Sequence, residues 1–109
     1  MAYNETTAAR LRKALGRRKD VSEKKMFGGL AFLVCGHMCC GITGEALMLR
    51  LGEEGSAAAL HTRHTRPMDF TGSPLKTMVY VDPPGFASDA DLQAWVDQAA
   101  AFSATLPPK

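Results

Sequence analysis

No apolar run in these 109 residues comes near the ~20 residues that a bilayer-crossing helix needs. The longest, Gly28 to Cys35, is short and opens on two glycines, so a helical membrane span is excluded and no membrane partner is expected. The N-terminal stretch carries Glu5, Arg10, Arg12 and Lys13 where a secretory signal would be apolar, so the expected location is cytoplasmic. Cysteine is scarce, and the three residues Cys35, Cys39 and Cys40 are odd in number and crowded together. That is a poor basis for a disulfide framework, and reduced thiols are expected. Charge of one sign is also lacking: a formal net charge of +2 demands neither nucleic acid nor an acidic surface as partner. The glycine patterns that cradle phosphates are missing too, because Gly28-Gly29 neither continues into a P-loop nor opens a dinucleotide fingerprint.

What is present suits one globular domain. The 46% hydrophobic and 22% charged fractions are ordinary, and the length supports one core but not two, so a single domain over 1–109 is expected. From Glu5 to Leu15 the residues Ala8, Leu11 and Leu15 recur at helical spacing, with Asn4 as N-cap and Gly16 as stop. A strand is predicted over Lys25–Cys35, its Gly28-Gly29 marking a bulge or a close backbone approach, after a polar link through Arg17 to Glu23. A turn at Gly36 leads to a strand over His37–Ile42, and a turn at Gly44-Glu45 to another over Leu47–Leu51. Leu47, Leu49 and Leu51 share one face and predict the core side; Met48 and Arg50 share the other.

A short helix is expected over Glu53–His64, and strands over Pro67–Phe70 and Thr77–Asp82. The last helix is the clearest: Leu92, Trp95, Val96, Ala99, Phe102 and Leu106 form an apolar stripe behind a Ser88 cap, with Trp95 predicted to be largely buried. The predicted fold is therefore α+β, a five-stranded antiparallel sheet with helices mainly on one face, in the order α-β-β-β-α-β-β-α.

Four stretches carry a family likeness: Met26-Phe27-Gly28-Gly29; Arg66 to Gly72, reading RPMDFTG; Tyr80-Val81-Asp82-Pro83; and the Asp91 to Val96 helix start, reading DLQAWV. Together they resemble the N-terminal domain of the TfoX/Sxy competence-regulator family. The resemblance implies five antiparallel strands with flanking helices, and a regulator rather than an enzyme. It supplies no catalytic residues. Long members carry a second, helical domain, whereas this chain reads as a stand-alone module ending at Lys109.

Several constellations merit weighing against blander readings. Cys35, His37, Cys39 and Cys40 offer zinc-type ligands, but adjacent Cys39 and Cys40 are expected on opposite sheet faces and no paired C-x-x-C knuckle exists. No metal or other cofactor is expected, and Cys39 and Cys40 remain candidates only for redox sensing. The basic first helix makes Arg10, Lys13, Arg17 and Arg18 candidate phosphate contacts for weak, non-specific nucleic-acid binding. His61, Arg63, His64 and Arg66, with Arg50 and Lys76, offer a candidate anion pocket, although cations after a helix also suit its dipole. Met48, Met78 and Tyr80 lie on the face the helices are not expected to cover, and are candidates for an interface with an unidentified protein partner or a second copy of the chain.

Overall fold

The computed structural model describes residues 3–16, 21–26, 28–68 and 75–106. Helix α1 spans Glu5–Leu15; Asn4 Oδ1 accepts from the Thr7 N–H at 2.9 Å, and Gly16 ends the helix at φ 46°. Both boundaries agree with the sequence. The strands are β1 (Val21–Met26), β2 (Gly29–Val34), β3 (His37–Thr43), β4 (Ala46–Arg50), β5 (Thr65–Met68) and β6 (Leu75–Val81). Helix α2 (Gly52–Ala59) separates β4 from β5, and a 3-10 turn at Pro83–Phe86 leads into α3 (Asp89–Ser103). The six strands pair antiparallel throughout, in the order β1-β2-β3-β4-β6-β5.

The sheet thus has six strands, not five. The expected single strand over Lys25–Cys35 is a hairpin, and residues assigned to the polar link begin its first arm. Ser22, Glu23, Lys24 and Lys25 are all exposed, so β1 has no apolar alternation for the sequence to reveal. Its hydrogen bonds to β2 hold it in place, and its charges blunt the open edge against further pairing. Gly28 turns at φ 72°, while Gly29 is a close approach: a Cβ there would lie 2.8 Å from Thr43 Cα. The α2 helix stops at Ala59, earlier than expected: the Ala59 carbonyl accepts from the Thr62 N–H at 2.8 Å, and Thr65 Oγ1 lies 2.6 Å from the carbonyls of both Ala59 and Thr62, sharing its one proton between them. Strand β5 begins at Thr65, two residues before the predicted start, and the rest of the predicted Pro67–Phe70 strand lies outside the described residues.

Two apolar clusters sit on the two faces of the sheet. On one, Phe32, Ile42, Leu47, Leu49, Val79 and Val81 pack with Leu11 and Leu15 of α1 and Leu92 and Val96 of α3. The leucine row faces this core as expected, Leu51 included. On the other, Ala31, Met38, Met48, Met68 and Met78 form a smaller cluster with Leu33 and Tyr80 against it. Among the described residues no helix is long and apolar enough to cross a membrane.

Between β2 and β3 the register slips: Leu33 pairs with Met38 but Phe32 pairs with Cys40, leaving Cys39 as an extra residue. This bulge overturns the expectation that Cys39 and Cys40 face opposite ways. An inserted residue breaks strand alternation, so both cysteines enter the helix-covered core and Met38 is displaced to the methionine face.

Candidate interaction site

The two arginines at the centre of the basic helix are tied into the fold. Arg10 Nη2 donates to the carbonyls of Phe86 and Ala87 at 2.9 and 3.2 Å and pairs with Asp89 at 3.2 Å, linking α1 to the start of α3. Arg12 makes a two-pronged bond to Glu23, 2.7 Å from Nε and 2.9 Å from Nη2, linking α1 to β1. That bond holds the Glu23 carboxyl below, and the Arg12 guanidinium above, its ordinary pKa. Lys13 is exposed, beside a shallow hollow that also contains Asp89, so the positive face is interrupted. Arg17 and Arg18 lie outside the described residues.

The residues proposed for an anion pocket do not meet in one place. Arg66 pairs with Asp82 at 3.1 Å and stacks near Tyr80; Arg50 sits 5.9 Å from the Phe102 ring centroid; Lys76 borders a groove beside α2. Arg63 and His64 line a separate cleft with Trp95. Cys35 is exposed at the β2–β3 turn, while Cys39 and Cys40 are wholly buried. Among the described residues no group of three His, Cys, Asp or Glu side chains is placed to hold a metal ion.

The methionine face is less open than expected. Met48 is 0% exposed, and Gly41 makes room for it: a Cβ on Gly41 would lie 2.9 Å from Met48 Cε. Tyr80 is half-buried beside Arg66. Of the three candidate interface residues, Met78 borders an opening.

That opening is a groove of about 270 Å³ between α2 and the β5–β6 pair, lined by Glu53, Ser56, Ala57, Leu60, Pro67, Lys76 and Met78. Its floor is apolar. Leu60, 41% exposed, is the one large apolar side chain left open among the described residues. Ser56 is 2% exposed, and its Oγ, like that of Ser103, has no hydrogen-bond partner among the described residues. At the mouth stand Lys76 and Glu53, whose side chains have no partner among the described residues. The sequence pointed to Met78 but not to Ser56, Leu60 or Pro67, because the groove exists only once α2 stops short and Leu60 turns outward.

Comparison with known proteins adds one finding. The family model described as the TfoX N-terminal domain matches residues 13–103. The chain belongs to the TfoX N-terminal domain family. No curated protein and no solved structure matches it. The TfoX N-terminal match runs from within α1 to the end of α3 and so takes in all six strands and the groove. Within this domain, three residues come from the stretches that carry the likeness: Arg66 on β5 contacts both Tyr80 and Asp82. Trp95, from the last of those stretches, is half-buried rather than largely buried: its Nε1 donates to the Gly85 carbonyl at 3.1 Å, and its ring borders a cleft.

Proposed function

We propose that this TfoX N-terminal domain is a non-enzymatic regulatory module that docks a segment of a partner protein in the groove between α2 and β5–β6. The observation that carries this is an exposed Leu60 beside the apolar floor of a groove whose mouth holds Lys76 and Glu53. The groove, about 270 Å³ in volume and apolar in its floor, has room for a large apolar side chain. The occupant is therefore a short segment offering one apolar anchor and, beside it, a carboxylate to meet Lys76. Glu53, across the mouth, would accept from an N–H of the same segment.

A display selection of random peptides on the folded domain tests this. Enriched peptides should share an apolar residue flanked by Asp or Glu, lose binding to Leu60→Asp, and lose acidic preference on Lys76→Glu. Peptides that bind the wild type and Leu60→Asp equally would refute the groove as the docking site. The nucleic-acid reading of α1 draws less support, since Arg10 and Arg12 commit their donors to Asp89 and Glu23.

A further inference from the structure

A second concavity has a different chemistry. It is a cleft of about 380 Å³ between the loop after α2 and the outer side of α3, lined among others by Arg63, His64, Asp91, Trp95 and Gln98. That volume falls in the usual range for small-molecule sites, about 300–1,000 Å³. We propose that this cleft binds a nucleoside monophosphate, the phosphate at Arg63 and His64, the base against Trp95.

Four observations support the assignment. First, Arg63 and His64 are exposed, and their side chains have no partner among the described residues, so their donors are available to an anion. A guanidinium forks naturally onto phosphate oxygens. Second, the indole is fixed before any ligand arrives. Trp95 Nε1 is bonded to the Gly85 carbonyl, and the half-buried ring offers an apolar surface of the kind on which bases stack. Third, Asp91 and Gln98 stand on the α3 side of the same cleft. A carboxylate there disfavours a bare phosphate or a simple dianion, and instead requires a ligand that also presents N–H donors. The edge of a nucleobase supplies them, and Gln98 can both donate and accept.

Fourth, His64 holds a left-handed conformation at φ 69°, sparsely used by residues other than glycine. Its carbonyl accepts from the Asp82 N–H at 2.8 Å, which fixes the loop and aims Arg63 and His64 from one rigid turn. No catalysis is implied by these groups. The cleft shares no lining residue with the α2–β5 groove, so the two assignments stand or fall separately.

Trp95 is the only tryptophan in the chain, so its fluorescence reports on this cleft alone. Titration with AMP, excited at the red edge of indole absorption and checked by calorimetry, should give a saturable change with a dissociation constant below about 1 mM. Ribose 5-phosphate, which lacks the base, and adenosine, which lacks the phosphate, should each bind at least about tenfold more weakly, as should AMP to Arg63→Met, given the strength of charge-assisted bonds to phosphate. His64→Gly, which relieves the left-handed backbone, should remain folded and also bind more weakly. A short single-stranded oligonucleotide that binds more tightly than AMP, with the same dependence on Arg63, would support the same chemistry and assign the nucleotide to a polymer. No saturable change with either ligand would overturn the proposal, as would inorganic phosphate matching AMP or Arg63→Met binding AMP like the wild type.

Discussion

The guanidinium of Arg66 lies 4.6 Å from the ring centroid of Tyr80, its direct partner across the β5–β6 ladder. The same guanidinium reaches Asp82, with Nε 3.1 Å from Oδ1. One side chain therefore clamps a four-residue edge strand onto β6 by a ring contact and an ion pair. Strand β5 needs such a clamp: Pro67 has no N–H to give the ladder, and the register shifts between Pro67 and Met68. Through Pro67, β5 also forms one wall of the α2 groove.

Arg66→Ala should thus destabilise the domain by about 1 kcal/mol, the sum expected of an exposed cation–π contact and a surface ion pair. Arg66→Lys should recover only part, because an ammonium cannot fork onto a carboxylate. Urea denaturation of the three proteins measures this; equal midpoints would show that β5 is held by other means.

The Arg12–Glu23 pair makes a pH-dependent contribution. Glu23 has its folded pKa depressed by the Arg12 hydrogen bond, so the stabilisation is present above the unfolded carboxylate pKa and is lost as pH falls through the folded value. Both side chains are about two-fifths exposed, at 44% and 39%, so solvent screening keeps the coupling small. A double-mutant cycle with Arg12→Met and Glu23→Gln at neutral pH should give roughly 0.2–1 kcal/mol. Below the carboxylate range Glu23→Gln should match the wild type in stability; a constant difference across pH would contradict the assignment.

Met48 is a core residue on the second face, not an accessible contact. Met48→Ala should cost about 2–5 kcal/mol, in the range for emptying a buried aliphatic site. Met48→Lys should unfold the domain rather than alter its assembly, because the ammonium would be buried without a partner. Circular dichroism and mass in solution distinguish the two; a folded Met48→Lys with a changed mass would restore Met48 as an interface residue.

Thiol reactivity should divide according to the bulge. Cys35, exposed at the hairpin turn, should be labelled rapidly by a thiol reagent in the native protein. Cys39 and Cys40 should be labelled only at the rate of opening, and adding denaturant should bring all three to one rate. Rapid native labelling of Cys39 or Cys40 would show that the helix-covered core admits oxidants and would favour the redox reading.

Elements with an apolar period were legible in the sequence, and those held by pairing alone were not. Both ends of α1 could be read because Asn4 caps it, Ala8, Leu11 and Leu15 repeat, and Gly16 stops it. The leucine row of β4 was legible for the same reason. Strand β1 was hidden because its side chains carry almost no burial signal, and the bulge at Cys39 because one inserted residue leaves no local mark. Trp95 was overestimated as a core residue: its stripe position was right, but its Nε1 needed Gly85, which draws the ring to the edge of the helix. The groove depended on two things that no spacing reveals, the early end of α2 at Ala59 and the pairing of β5 with β6.

The most direct test of the docking groove is a methyl and amide NMR map of the domain with and without a peptide selected to carry an apolar anchor and an adjacent acid. A segment seated between α2 and β5–β6 should shift the Met78 ε-methyl, the Leu60 methyls and the Ala57 and Lys76 amides, and leave the buried Met48 ε-methyl and the exposed face of α1 unmoved. Shifts confined to α1, or to the Trp95 side of α3 with Leu60 and Met78 unchanged, would contradict it.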